Sequence, residues 1–234
     1  MRKKYAVITG GTKGIGRSLV ELFAKNKFNI VTCARNLDEL VKLNKDIEEK
    51  YNVEVLFSAV DLVNKKDCER FIYLIQDTVP HINVLVNNAG LFIPQNLLEE
   101  EDEVFEKTMF ANVFAPYYIS KNLFSLVEKA NGHIFNIESV ASFKAFDNCA
   151  SYVTSKHALH GFTKSLREIS KTKNVKVTSV LPGATFTASW AGTDVSPERI
   201  MDPDTIAETV FNCFKLPGNV VVEELIIRPQ LGDL

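Results

Sequence analysis

Seven short apolar runs, separated by stretches with helical periodicity, constrain this 234-residue chain more than any other feature of it. The runs cover 5–9, 29–33, 53–60, 84–87, 133–137, 175–181 and 220–227, and most are rich in Val and Ile. Most are apolar throughout rather than alternating, which suits strands covered on both faces, as in a parallel sheet. Between them, Ile15, Leu19, Leu22 and Phe23 recur at helical spacing, as do Leu37, Leu40, Val41 and Leu43, and then Phe71, Leu74 and Ile75. Alternation repeated this often predicts an α/β fold, a Rossmann-type doubly wound sheet of about seven mainly parallel strands. Right-handed crossovers then place helices on both faces. With no internal repeat and no Gly/Ser linker, the chain reads as a single domain over 1–234.

Composition narrows the function classes. A net charge of −2 gives no electrostatic footprint for nucleic acid. No apolar run approaches the roughly 20 residues that span a bilayer, and the short apolar stretch after Met1-Arg2-Lys3-Lys4 does not resemble a secretory signal. Cys33, Cys68, Cys149 and Cys213 are scattered without metal-ligand spacing, as expected of buried, inert thiols in a reducing cytoplasm. The expectation is a cytoplasmic protein with a small-molecule partner, no membrane, no nucleic acid and no metal.

The first strand runs into Thr9-Gly10-Gly11-Thr12-Lys13-Gly14-Ile15-Gly16. Glycines there permit a tight turn, bring backbone N–H groups close to a pyrophosphate and leave a helix N-terminus facing it. Gly11 through Ser18 also reads as a triphosphatase loop, but Arg17 stands where that loop needs a lysine. The Gly10, Gly14, Gly16 spacing favours a dinucleotide, with Thr12, Lys13 and Ile15 as further contacts. NAD-binding folds end the second strand on an acid for the ribose hydroxyls. Here that end reads Ala34-Arg35. A guanidinium grips a 2′-phosphate, and Lys13 offers a second cation, so the predicted cofactor is NADP(H).

Tyr152 and Lys156 lie four apart, hence on one helix face. A neighbouring ammonium lowers a phenol pKa, which is how tyrosine becomes a usable acid or base near neutrality. Ser139 follows the run 133–137, at the strand end where parallel sheets bind ligands.

Taken together, Thr9-Gly-x-x-x-Gly-Ile-Gly16, Asp61, Asn87-Asn88-Ala89-Gly90, Asn112, Ser139, Tyr152, Lys156 and Pro182-Gly183 resemble the classical short-chain dehydrogenases/reductases over essentially the whole chain. The resemblance implies that Tyr152 exchanges a proton with the substrate oxygen while Ser139 hydrogen-bonds that oxygen. It implies that Lys156 binds the nicotinamide ribose and keeps the phenol acidic, and that Asn112 holds a water linking Lys156 to solvent. Asp61 and Leu62 would bind adenine, Asn88, Ala89 and Gly90 would line the cofactor, and Pro182, Gly183, Thr185 and Thr187 would meet its nicotinamide end. The implied reaction is NADP(H)-dependent interconversion of a carbonyl and an alcohol. The alternatives are a 3-oxoacyl-carrier-protein reductase or a non-catalytic NADP(H) sensor on the same fold.

Three positions depart from the pattern. Thr185 replaces an aliphatic residue and predicts a more polar pocket, Glu138 replaces a small hydroxyl residue, and the C-terminus lacks the paired glycines of the carrier-protein reductases. Phe92, Phe146, Phe186 and Trp190 are the candidate apolar walls for substrate, the last two on a loop from 185 to about 200. No arginine cluster near these loops points to an anionic substrate, and Lys144 reads as solvated. Helices over 105–129 and from Tyr152 onward carry more apolar residues than one sheet face needs, among them Phe110, Phe114, Tyr117, Phe162 and Ile169. In the resembling family these helices pair across a two-fold axis, so a homodimer is expected, possibly a homotetramer.

Overall fold

All seven strands pair in parallel, in the order β3-β2-β1-β4-β5-β6-β7. They are β1 (Lys4–Thr9), β2 (Phe28–Ala34), β3 (Val55–Ala59), β4 (Val84–Asn87), β5 (His133–Ile137), β6 (Lys176–Pro182) and β7 (Glu224–Ile227). The computed structural model describes residues 3–187 and 195–233, so Trp190 lies outside the described residues. The order reverses between β1 and β4, and a doubly wound sheet opens its ligand crevice at such a point.

Seven α-helices flank the sheet among the described residues: α1 (Gly14–Lys25), α2 (Leu37–Tyr51), α3 (Lys65–Thr78), α4 (Asp102–Met109), α5 (Ala115–Glu128), α6 (Ala150–Ser170) and α7 (Pro203–Phe214). The continuously apolar strands feed two cores at once, because successive side chains point to opposite faces. Ala6, Ile8, Val84, Val86 and Phe135 pack with α1, α2 and α7. Val7, Leu85 and Ile134, one residue out of step, pack with α3, α5 and α6. Among the described residues no helix is long and apolar enough to cross a membrane.

The predicted helix over 105–129 changes its winding along its length. A π-helical turn at Phe110–Phe114 joins α4 to α5 and carries the buried Asn112. Wide turns of this kind concentrate at functional sites. Asn36, Asn64 and Asp202 cap α2, α3 and α7 through side-chain oxygens that accept backbone N–H bonds. Helix α1 differs: Lys13 precedes it without a side-chain cap, and no acid occupies its first turn.

Candidate active site

The C-terminal ends of β1, β2, β4, β5 and β6 surround one cavity of about 1050 Å³. The glycine turn and Arg35 stand at one end, and Ser139, Tyr152, Lys156, Pro182 and Gly183 at the other. Gly10 and Gly14 take left-handed backbone, with φ of +70° and +52°, as the tight turn requires. The uncapped N–H groups of α1 open here, an arrangement that favours an anion. Arg17 is turned away, in ion pairs with Glu21 at 2.7 Å and Asp46 at 3.5 Å, so it cannot stand in for a phosphate-loop lysine.

Gly16 and Asn88 have packing contacts that fix the shape of the turn. Gly16 does not line the cavity. A Cβ there would lie 2.1 Å from the Gly10 carbonyl oxygen and 2.5 Å from Asn88 Nδ2, so this glycine is required by helix–turn packing. Asn88 lines the cavity, yet its amide nitrogen donates to the carbonyls of Thr9 at 2.8 Å and Gly10 at 3.3 Å, clamping β4 to the turn. The Thr9 hydroxyl completes the clamp by accepting from the Asn88 and Ala89 amides, both at 2.9 Å.

The cation pair expected at the far end carries a third member. Lys13 Nζ lies 2.7 Å from Glu39 Oε1, and Lys13 holds the Glu39 carboxyl below its ordinary range, helped by Thr12 and Arg35. Glu39 lines the cavity, although sequence reasoning did not single it out. Its position three residues after the Asn36 cap marks it as a first-turn helix residue, which conceals its second setting. Asp61 and Leu62 line the same end. Asp61 accepts from the Val63 amide at 3.2 Å, while Asn64 and not Asp61 caps α3.

At the other end, Tyr152 packs edge-on against Phe92, with ring centroids 4.9 Å apart. Phe92 and Phe146 line the cavity, whereas Phe186 is exposed and lies off it. Lys156 Nζ donates to the Ile137 carbonyl at 3.0 Å and sits 5.5 Å from the centroid of the Tyr152 ring. The expected low phenol pKa is not what this chain alone produces. Burial pushes Tyr152 up to about 12, with a hydrogen bond to Ser139 opposing it. Burial likewise brings Lys156 down to about 8, against the pull of the Glu138 carboxylate. Desolvation outweighs pairing because the ammonium lies over the ring face and bonds a backbone carbonyl.

The π-helical turn brings Asn112 beside Gly90. It lies off the cavity wall, and its amide is engaged: Oδ1 accepts from Leu91 N at 2.7 Å, and Nδ2 donates to Leu91 O and Ser155 Oγ, both at 2.9 Å. Its side chain therefore holds the turn after β4 in place. Thr185 lines the cavity, but its hydroxyl donates to the Gly183 carbonyl at 3.0 Å, so the pocket gains less polarity than the sequence implied. Lys144 is not simply solvated. It pairs with Asp233 at 3.1 Å, and Asp233, also held by Arg228 at 2.7 Å, lines the cavity. Nothing in the sequence announced that the segment after β7 returns to this wall.

The chain is similar over nearly its whole length to proteins already described. The sequence profile of the short chain dehydrogenase family matches residues 4–196. An uncharacterised oxidoreductase of Staphylococcus saprophyticus is 32% identical over 231 residues, covering 98% of each chain. A sepiapterin reductase of Chlorobaculum tepidum is 33% identical over 241 residues, covering 99% of this chain and 98% of that one. Among solved structures, an alcohol dehydrogenase of Thermococcus sibiricus complexed with 5-hydroxy-NADP superposes with a TM-score of 0.90 at 27% identity, covering 98% of this chain and 97% of that one. The L-sorbose reductase of Gluconobacter frateurii, complexed with NADPH and L-sorbose, gives 0.89 at 26% identity, covering 98% and 96%. The profile match, the whole-chain relatives and the parallel seven-stranded sheet agree: this chain belongs to the short-chain dehydrogenase family of oxidoreductases.

Proposed function

We propose that this oxidoreductase reduces a ketone or aldehyde with NADPH, or runs the reverse reaction. The observation that carries the reading is the meeting of Ser139, Tyr152 and Lys156 at one end of a cavity whose other end is a glycine turn. The residues fit a phosphorylated dinucleotide on three counts. Helix α1 is uncapped, Gly10 and Gly14 hold a backbone cradle that side chains would fill, and Arg35 stands where an acid would select NAD(H). The T. sibiricus and G. frateurii structures, complexed with NADP-type cofactors, lend support.

Gly10, Thr12, Lys13, Gly14 and Ile15 would hold the pyrophosphate end, Arg35 with Lys13 the 2′-phosphate, and Asp61 and Leu62 the adenine. Ala89, Gly90, Pro182, Gly183, Thr185 and Thr187 would border the nicotinamide end. When bound, the cofactor supplies the hydride. Everything else falls to the chain. Ser139 orients the substrate oxygen and stabilises charge that develops on it. Tyr152 delivers the proton to that oxygen, and Lys156 holds a positive charge beside the phenol. Phe92 and Phe146 give the reacting centre an apolar wall that excludes water.

Cofactor choice gives a direct test. NADPH should bind at least about ten-fold tighter than NADH, or roughly 1.4 kcal/mol. Ala34→Asp combined with Arg35→Ala should shift the preference toward NADH. Glu39→Gln should tighten NADPH further by freeing Lys13 from its carboxylate. Equal affinities in the wild-type protein, measured by cofactor fluorescence titration, would overturn the assignment.

Assembly belongs to the same proposal. Phe114 and Tyr117 are about two-fifths exposed, and their rings join Phe110, Tyr118 and Phe162 in one aromatic patch over the π-helical turn, α5 and α6. A second copy packing there in isologous fashion would cover the patch and brace Asn112 from outside. Light scattering at micromolar concentration should report at least twice the 26.2 kDa chain mass. A fully active monomer would refute the assembly and leave the chemistry untouched.

A further inference from the structure

The segment after β7 reaches the substrate end of the cavity at Asp233, whose side chain is only 9% exposed and lines the wall. Gly183, just after β6, is its seat. A Cβ there would stand 3.2 Å from Pro229 Cδ, 3.4 Å from Arg228 Cγ and 3.4 Å from Asp233 Oδ1, so the bare backbone lets the segment lie this close.

The carboxylate is a knot between three parts of the chain. Arg228 grips both oxygens: Nε donates to Oδ1 at 2.9 Å and Nη2 to Oδ2 at 2.7 Å. From the loop between β5 and α6, Lys144 Nζ donates to Oδ2 at 3.1 Å. The same ammonium stands 5.2 Å from the centroid of the Phe146 ring, so one cation links the apolar wall to the carboxylate. The third part is Arg199, at the end of the loop after β6. Its guanidinium donates to the carbonyls of Gly232 at 3.0 Å, Asp233 at 3.2 Å and Leu231 at 3.5 Å, which fixes the backbone that carries the knot.

An exposed ion pair between two long side chains holds little, because each gives up rotamer freedom to meet the other. Asp233 differs. The fork of Arg228 sets its carboxylate in place for Lys144, and the wall leaves it little water as an alternative partner. Without the carboxylate, Lys144 and Arg228 would be two cations on either side of a gap. Both carboxylate oxygens are engaged by the chain, so the part of Asp233 in recognition is to fix the wall. We propose that Asp233 is a specificity-determining residue, the knot of a strap that closes the substrate end of the cavity beside Phe146 and confines it to compact carbonyl compounds. Carbonyl compounds with a large apolar substituent are turned away by the strap. The inference rests on the reading of Ser139, Tyr152 and Lys156 as the reacting end.

The test has two readings. The first is NADPH consumption with butanone and with the bulkier propiophenone. In Asp233→Ala the ratio of kcat/KM for propiophenone to that for butanone should rise at least about ten-fold, through a lower KM for the larger ketone, with NADPH affinity unchanged. Lys144→Met leaves the grip of Arg228 in place, should move the ratio the same way by a smaller factor, and serves if the first variant does not fold. The second reading is amide hydrogen exchange without substrate, which should quicken over both 143–149 and 228–233 in either variant. A purely structural Asp233 would lower the melting temperature and leave the ratio where it was, and an unchanged ratio would overturn the proposal. If exchange quickens in both segments but no form of the protein reduces a carbonyl compound, the strap stands and the proposed activity fails.

Discussion

Tyr152→Phe is expected to lower carbonyl reduction by two to four orders of magnitude while leaving NADPH affinity nearly intact. General-acid catalysis contributes roughly that factor, and a phenylalanine keeps the ring that packs on Phe92 at 4.9 Å. Only the proton is lost, so the fall should appear in turnover and not in ground-state binding. Burial pushes the phenol up to about 12, so it holds its proton throughout the neutral range. Oxidation needs the phenolate, and its rate should still be rising with pH well above neutrality. Steady-state rates in both directions across pH, for wild type and variant, check both statements. A Tyr152→Phe protein with near-normal turnover would show that another group donates the proton.

The second large effect is expected from Gly16→Ala, which adds one methyl to a helix that otherwise favours alanine. That methyl would stand 2.1 Å from the Gly10 carbonyl oxygen and 2.5 Å from Asn88 Nδ2, and neither neighbour can yield easily. Gly10 is fixed by its N–H bond to the Cys33 carbonyl at 2.9 Å, and Asn88 by its two bonds to the turn. Overpacking of this kind costs about 3 kcal/mol at the upper end of its range, a drop of roughly 6–12 °C in melting temperature for a chain this size. NADPH affinity should fall with it, because the displaced atoms are the cradle. Gly161→Ala is the control. A Cβ there meets nothing within 4 Å in the middle of α6, so helix propensity alone should raise stability by about 1 kcal/mol. Equal melting temperatures for the two alanine variants would refute the packing argument.

The fold was legible in the sequence because its signal is redundant. Each strand carries apolar residues for two cores, so Ala6, Val7 and Ile8 announce burial on both sides at once. Ser139, Tyr152 and Lys156 were legible because strand end and helix face fix them within a short span of chain. The rest depended on contacts between distant segments. Nothing within α2 shows that Glu39 meets Lys13, and nothing after β7 shows that Asp233 meets Lys144. The packing roles that the sequence left unseen share one cause. Gly16, Asn88 and Asn112 carry residue types that suit ligand contact, yet their neighbours engage them in holding the turns that face the cavity. The phenol pKa was misjudged for a different reason, since helical spacing reports which residues share a face and not how much water is lost there.

The exclusively parallel sheet also governs how this chain comes to exist in time. No strand can pair through a hairpin: β1 must wait for Phe28 to meet Lys4, and it closes on β4 only when Val84 reaches Ala6. Loop closure over such separations comes before its reward, so folding of this topology is slow. The cavity is walled by residues from Gly10 to Asp233, and on a ribosome its last wall is made after the glycine turn has long been exposed. A half-made chain can therefore bind its cofactor only weakly. Added NADPH should leave the early phases of refolding unchanged and slow the unfolding of the finished protein, making the ligand a stopwatch for completion of the sheet.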